Sequence, residues 1–275
     1  MRRTVYFLMC LCLTLTSCSL FKIDTFDAPD RTLEGGFYDE DGNLVPNDPG
    51  LGTRIRLLEL SYKEKHPDAV LSYGPYLNVK IDGTYKNSKL FAGKYEVYPY
   101  GAFMPYILKT ADNDTIYNKC PIVEIVGKET RLDFEVQPFL KIEIDESSLS
   151  ESNGQISCDV YITRGVSKDE FRDVISQAGN YSENFTNVKD LQLYVSYSPY
   201  VGNSDNIDKW SNYMEFAGDE FESSSKYGFG KPIKMVTKGN IPSNRKLYLR
   251  AAARINYDIE GSKRYNFSNT VEWQM

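Results

Sequence analysis

The stretch Ile81–Gly101, IDGTYKNSKLFAGKYEVYPYG, decides how the chain is read. It holds two runs of strand-forming residues, each introduced by a turn. Asp82-Gly83 is a favoured tight-turn pair, and Gly93 permits close backbone approach at a second turn. Beyond Gly93, strand alternation sends Tyr95 and Val97 to one face and Glu96 and Tyr98 to the other. Upstream, TRIRLLEL (Thr53–Leu60) alternates with period two, and TLEGGFYDEDGNLV (Thr32–Val45) reads as strand, Asp-Gly turn, strand. Downstream, CPIVEIVGKETRLDFEVQPFLKIEI (Cys120–Ile144) gives two strands around Gly127-Lys128. Short strands separated by turn signals predict a sandwich or barrel.

The second half is also β-patterned. Its strand-like runs are QISCDVYITR, KDLQLYVSYSPY, KPIKMVTK, KLYLRAAARINYD and KRYNFSNTVEW. We expect all-β architecture with two sandwiches in series, residues 31–138 and 139–275. The polar, helix-poor ESSLSESNG (Glu146–Gly154) should mark the passage between them. Ile259–Ser262 should join the last hairpin, and Trp273 should be core. One short helix interrupts this half. Ser167-Lys168-Asp169-Glu170 reads as a capping box, Phe171, Val174, Ile175 and Ala178 form one apolar face, and Gly179-Asn180 ends the run.

The order of motifs carries a resemblance. IDGTYKNSKLFAGKYEVYPYG is similar to the signature of prealbumin-like, carboxypeptidase-regulatory-like sandwiches. FDAPD, LEGGFYD, LFAGKYEV, DTIY and VQPFLKIE, in that order, resemble domain of unknown function 3823, a two-domain lipoprotein family of Bacteroidota. The resemblance covers Asp24–Glu143 well. Ile241-Pro242 before Leu247–Ala251, and Phe267–Val271, resemble the last strands of immunoglobulin-like or fibronectin-type-III sandwiches. The family resemblance implies a place in polysaccharide-utilisation systems, beside an outer-membrane transporter complex.

The N-terminus supports an envelope location. Met1-Arg2-Arg3 is basic, Val5–Leu15 is nearly all apolar, and Leu15-Thr16-Ser17 closes the run before Cys18. This reads as an export signal. Leu-Thr-Ser-Cys resembles the bacterial lipobox, which implies cleavage after residue 17 and lipidation of Cys18. Residues 18–30 then form a lipidated tether, and Ser19, not being acidic, favours the outer membrane and the cell surface. The whole chain has 32 basic and 38 acidic residues. Removing residues 1–17, with two Arg and no acids, gives 30 − 38 = −8, which disfavours a nucleic-acid partner. Of five cysteines, Cys10 and Cys12 lie in the signal and Cys18 follows it. Cys120 and Cys158 are expected as separate buried thiols.

Catalytic patterns are missing. The lone His66 sits in a charged loop, without partners at zinc spacing. There is no Gly-x-Ser-x-Gly elbow and no phosphate-cradling glycine loop. DEDGN (Asp39–Asn43) and DND (Asp112–Asp114) read as hairpin turns ahead of calcium loops, because the twelve-residue pattern is incomplete. We therefore expect no enzyme, cofactor or metal. Aromatic residues in turn-like sequence stand out instead: YPYGAFMPYI (Tyr98–Ile107) and the long run from Tyr197 to Gly230. Rings on loops can stack on sugars or anchor proteins. Trp210, Tyr213, Tyr98, Tyr100 and Phe103 are the candidate ligand contacts. Two functions follow: an accessory glycan-binding lipoprotein, or a structural spacer or adhesin-like module that contacts protein.

Overall fold

The computed structural model describes residues 28–74 and 76–274. Cys18 and the signal lie outside the described residues.

The first half runs β1 (Arg31–Tyr38), β2 (Arg54–Glu59), helix α1 (Leu60–Lys65), β3 (Tyr76–Asn78), β4 (Thr84–Leu90), β5 (Gly93–Tyr100), β6 (Ile107–Lys109), β7 (Thr115–Asn118), β8 (Ile122–Ile125), β9 (Glu129–Arg131) and β10 (Phe134–Glu135). One sheet centres on β1, paired antiparallel with β4 and parallel with β9 and β10. The facing sheet has the order β3-β2-β5-β8. Leu33, Phe37, Ile55, Leu57, Val97, Ile125 and Phe134 fill the space between them, each no more than 2% exposed.

The Asp82-Gly83 turn forms as expected: Gly83 has φ +84°, and the Lys80 amide donates to the Thr84 carbonyl at 2.7 Å. At Gly93 the chain changes sheets, since β4 pairs with β1 and β5 with β2 and β8. A Cβ on Gly93 would stand 2.5 Å from Ser61 Oγ, so a larger residue here would require that hydroxyl to turn away. Gly127-Lys128 makes a second crossing, from β8 to β9.

The second half comprises β11 (Leu140–Ser152), β12 (Gln155–Arg164), α2 (Lys168–Ile175), β13 (Val188–Ser196), β14 (Asn212–Glu215), α3 (Glu220–Ser223), β15 (Ile233–Val236), β16 (Lys246–Ile255), β17 (Asn266–Phe267) and β18 (Val271–Gln274). One sheet is β11-β12-β15; the other is β14-β13-β16-β17, with β18 also on β16. The chain is therefore an all-β, multi-sandwich protein. Ser167 Oγ caps α2 by accepting from the Glu170 amide at 3.2 Å. The Glu170 carboxylate does not close the box; it accepts from Gln137 Nε2 at 3.0 Å. Helices α1 and α3 were not anticipated.

ESSLSESNG corrects the expected passage between halves. It forms the tip of the β11–β12 hairpin, turning at Asn153 and Gly154, which have φ of +53° and +75°. Its serines stand on a solvent-facing ladder, which is why the segment reads as linker. Trp273 is half-buried rather than fully core, and its indole nitrogen has no partner among the described residues.

The halves meet along a dense seam. Tyr98, Tyr100, Ala102 and Leu108 from the first half belong to the core of the second. Arg250 on β16 is 1% exposed and donates to the carbonyls of Ser268 at 2.8 Å and Ile81 at 3.1 Å. Burial pushes its pKa down to about 10, opposed by the charge of Asp48. Asn266 bridges the halves by donating to the Ala102 carbonyl, and it accepts from the Leu140 amide within the second half.

Candidate functional site

The candidate site is a groove of about 370 Å³ on the outer face of the β14-β13-β16 sheet. Alternation along β13 builds its floor. Leu191, Leu193 and Val195 point into the core and are fully buried, which turns Gln192 and Tyr194 to the outer face. Gln192 is flanked by Tyr213 on β14 and Ala252 on β16. The small Ala252 packs with Tyr194 and Tyr265 at the groove's inner end. Arg254 and Asp190, each side chain 7% exposed, close that row with a 2.8 Å ion pair.

The wall is the loop after β13, with Asn203, Asn206 and Asp208. It is folded back on itself: Asn206 Nδ2 donates to the carbonyls of Gly202 and Asn203, both at 3.0 Å. Ser196 Oγ and Asp205 Oδ1 hydrogen-bond at 2.9 Å. Asp48, from the first half, accepts from the Asn203 amide at 3.1 Å and from the amides of Gly50 and Leu51 at 2.8 and 2.9 Å. Leu51 completes the lining.

Tyr213 is 54% exposed, and Lys238 Nζ lies 5.0 Å from its ring centroid. Burial raises the pKa of Tyr194, helped by Tyr265 and the Asp48 and Asp190 charges; burial and Asp190 raise that of Tyr265. Both phenols therefore remain protonated. The Asp208 carboxylate makes no hydrogen bond or ion pair with another described residue. The groove thus offers an exposed ring, amides, a carboxylate and an ammonium, which is a set of groups able to match an array of hydroxyls.

The five expected rings separate. Tyr213 alone stands exposed in this groove. Trp210 is a correction: it is 3% exposed, its ring meets Tyr197 edge-on at 5.3 Å, and its backbone carbonyl accepts from the Lys238 amide. It pins the loop below the groove rather than facing a ligand. Tyr98, Tyr100 and Phe103 are likewise corrected, at 3%, 3% and 2% exposure. They do not lie in loops facing solvent: Tyr98 and Tyr100 end strand β5, and Phe103 packs against Phe37. Phe216, Phe221, Tyr227 and Phe229 pack as a cluster under the long loop. Sequence reading missed Gln192, Tyr194, Asn203, Asn206, Asp208, Lys238 and Tyr265 as groove residues; only the polar density of SDNIDKWSN hinted at four of the lining residues, Asn206, Asp208, Ser211 and Asn212.

In the Asp39–Asn43 turn the carboxylates are engaged by backbone amides and a lysine. Asp39 Oδ1 accepts from the amides of Asp41 and Asn43, and Lys141 Nζ lies 3.5, 2.9 and 2.9 Å from Asp39, Glu40 and Asp41. The DND segment is the β6–β7 hairpin turn, with Asn113 at φ +70°. Among the described residues no group of His, Cys, Asp and Glu has metal-binding arrangement. Cys120 is half-buried and Cys158 buried, both free; burial raises both thiols to about 12.

Comparison with known proteins places the chain. The family model for the N-terminal domain of a protein of unknown function, DUF3823, matches residues 31–137. A DUF3823 family protein from Bacteroides uniformis is 37% identical, with TM-score 0.82, over 90% of this chain and 100% of that one. A proposed carbohydrate binding protein from Bacteroides uniformis shares the fold at 17% identity and TM-score 0.59, over 90% of this chain and 100% of that one. A DUF3823 protein from Parabacteroides merdae is similar at 17% identity and TM-score 0.58, over 90% of this chain and 100% of that one. No curated protein matches the sequence. The chain belongs to the DUF3823 family.

Proposed function

We propose that this chain is a non-catalytic lipoprotein of the outer membrane that binds glycan in the Tyr213 groove, as an accessory component of a polysaccharide-utilisation system. The observation that carries this reading is the exposed Tyr213 ring beside Gln192, Asn203, Asn206, Asp208 and Lys238. Aromatic faces pack on the C–H faces of sugars, and buried-edge amides and carboxylates match hydroxyls in pairs. The likeness to a proposed carbohydrate binding protein supports it. Anchoring through Cys18 is part of the same proposal, resting on the lipobox-like sequence.

The test is affinity electrophoresis of residues 19–275 over a panel of plant, host and microbial polysaccharides. We expect retardation by one glycan, lost in Tyr213→Ala and weakened in Asp208→Asn. Retardation that both variants retain would remove the groove from consideration. A spacer or protein-contacting module is the second reading. Burial of four of the five expected rings favours it, and it would gain if no glycan retards the protein while outer-membrane proteins are retained by the immobilised chain.

A further inference from the structure

The described chain begins at one end of the first sandwich. Arg31 pairs with Leu90, and the Thr32 amide donates to the Lys128 carbonyl. The second half attaches at the other end, through Tyr98, Tyr100 and Ala102. Strand β5 connects the two ends, since Gly93 pairs with Ile125 and Tyr100 with Arg54. Any tether from Cys18 therefore meets the fold at the pole farthest along β5 from the second half. That pole carries several apolar side chains that are partly or largely open to solvent. Phe91, in the β4–β5 passage, is 41% exposed, and Val126, in the β8–β9 passage, is 68% exposed. Tyr62 on α1 is 44% exposed, and Val70, next to the Ala69 carbonyl that accepts from Lys63, is 94% exposed. Helix α1 packs here because Gly93 abuts Ser61.

We propose that this pole rests against the lipid surface, with Phe91, Val126, Tyr62 and Val70 entering the headgroup region. The inference rests on the anchoring of Cys18 proposed above. Thirteen residues, 18 to 30, reach at most about 45 Å when fully extended, which confines this pole to the neighbourhood of the bilayer. Tethering raises the local concentration of lipid, so weak apolar contacts suffice to orient the molecule. Charge does not select the contact: the exposed Lys63, Lys65 and Lys128 share this pole with the likewise exposed Glu64, Asp68 and Glu129. Tyr is a residue that favours the interface, with its ring in the apolar boundary and its hydroxyl in the headgroups. The groove around Tyr213 belongs to the second half and is held away from lipid.

The test uses the full acylated chain in vesicles whose acyl chains carry bromine, which quenches tryptophan at close range. Phe91→Trp and Val126→Trp are compared with Tyr200→Trp, a ring 67% exposed on the second half. Wild-type emission from Trp210 and Trp273 is subtracted. We expect the two polar-end reporters to lose roughly half their added emission, as a depth of several Å in the interface implies, and Tyr200→Trp to lose none. Equal quenching at all three positions, or none at Phe91→Trp and Val126→Trp, overturns the inference while leaving the anchor intact. Intact mass and vesicle flotation separate the other failure: a chain without acyl groups that does not float overturns both the anchor and this orientation.

Discussion

Replacing Asp48 tests how one half of the protein holds the groove wall of the other. Asp48 is 2% exposed. Its Oδ1 accepts from the amides of Gly50 and Leu51, and its Oδ2 from the Asn203 amide. Asp48→Asn preserves shape and the Oδ1 bonds, but turns an NH2 group toward the Asn203 N–H. One charge-assisted bond is lost, worth about 1.5–3 kcal/mol. The Arg250 guanidinium, already held down to about 10 by burial, also loses the carboxylate that opposes this shift. We expect about 2 kcal/mol for Asp48→Asn and about 4 kcal/mol for Asp48→Ala, which strips all three amides of their acceptor, with water reaching part of the loop. Urea unfolding at neutral pH, followed by tryptophan fluorescence and by circular dichroism, measures both. The two probes should move together, because the seam couples the halves. A change within about 0.5 kcal/mol for Asp48→Asn, the range of an ordinary surface substitution, would refute the reasoning.

Tyr213→Ala should leave stability within about 0.5 kcal/mol of wild type, whereas Trp210→Ala should cost about 3–5 kcal/mol, both read by urea unfolding. Gly35→Ala should prevent correct pairing of β1, because its Cβ would stand 1.8 Å from the Leu132 carbonyl oxygen; loss of soluble expression or a large drop in melting temperature is the expected result. Alkaline pH should unfold the protein steeply. Tyr95, Tyr106 and Tyr257 are raised by burial from 10.0 to about 12, and Cys120 and Cys158 from 9.0 to about 12. The folded state thus keeps protons that the unfolded state releases. Stability is full below about pH 9 and falls as pH rises to 12, by about 1.4 kcal/mol per pH unit for each such group. A urea midpoint unchanged from pH 8 to pH 11 would contradict this. Both thiols should resist a disulfide reagent at pH 8 until denaturant is added.

Strand positions were legible because period-two alternation and Asp-Gly turns are local signals. Partner choice was not. Ala92-Gly93 and Gly127-Lys128 look like hairpin turns, yet each carries the chain across the sandwich. A reversal of direction says nothing about which sheet receives the next strand. ESSLSESNG misled for a related reason: serines on the outer ladder of a hairpin have the composition of a linker. The site was harder to read. Trp210 sits among polar residues that face outward from a coil, while its own indole points under the loop; neighbours in sequence do not report a side chain's direction outside regular structure. Tyr213 was identified as a ring in a polar run. Its groove partners Gln192 and Tyr194, Lys238, and Tyr265 come from three different segments, and only packing brings them together.

Strand β5 has a consequence for inheritance. Its Tyr95 and Val97 belong to one core and its Tyr98 and Tyr100 to the other. The family's N-terminal match ends at residue 137, but a gene segment cut there would encode a product with Tyr98, Tyr100, Ala102 and Leu108 laid bare to water. The two halves are therefore poor currency for domain shuffling. Change on one side of β5 is constrained by the other, so they should be inherited and diversify as a pair, with free variation confined to the loops that end away from the seam.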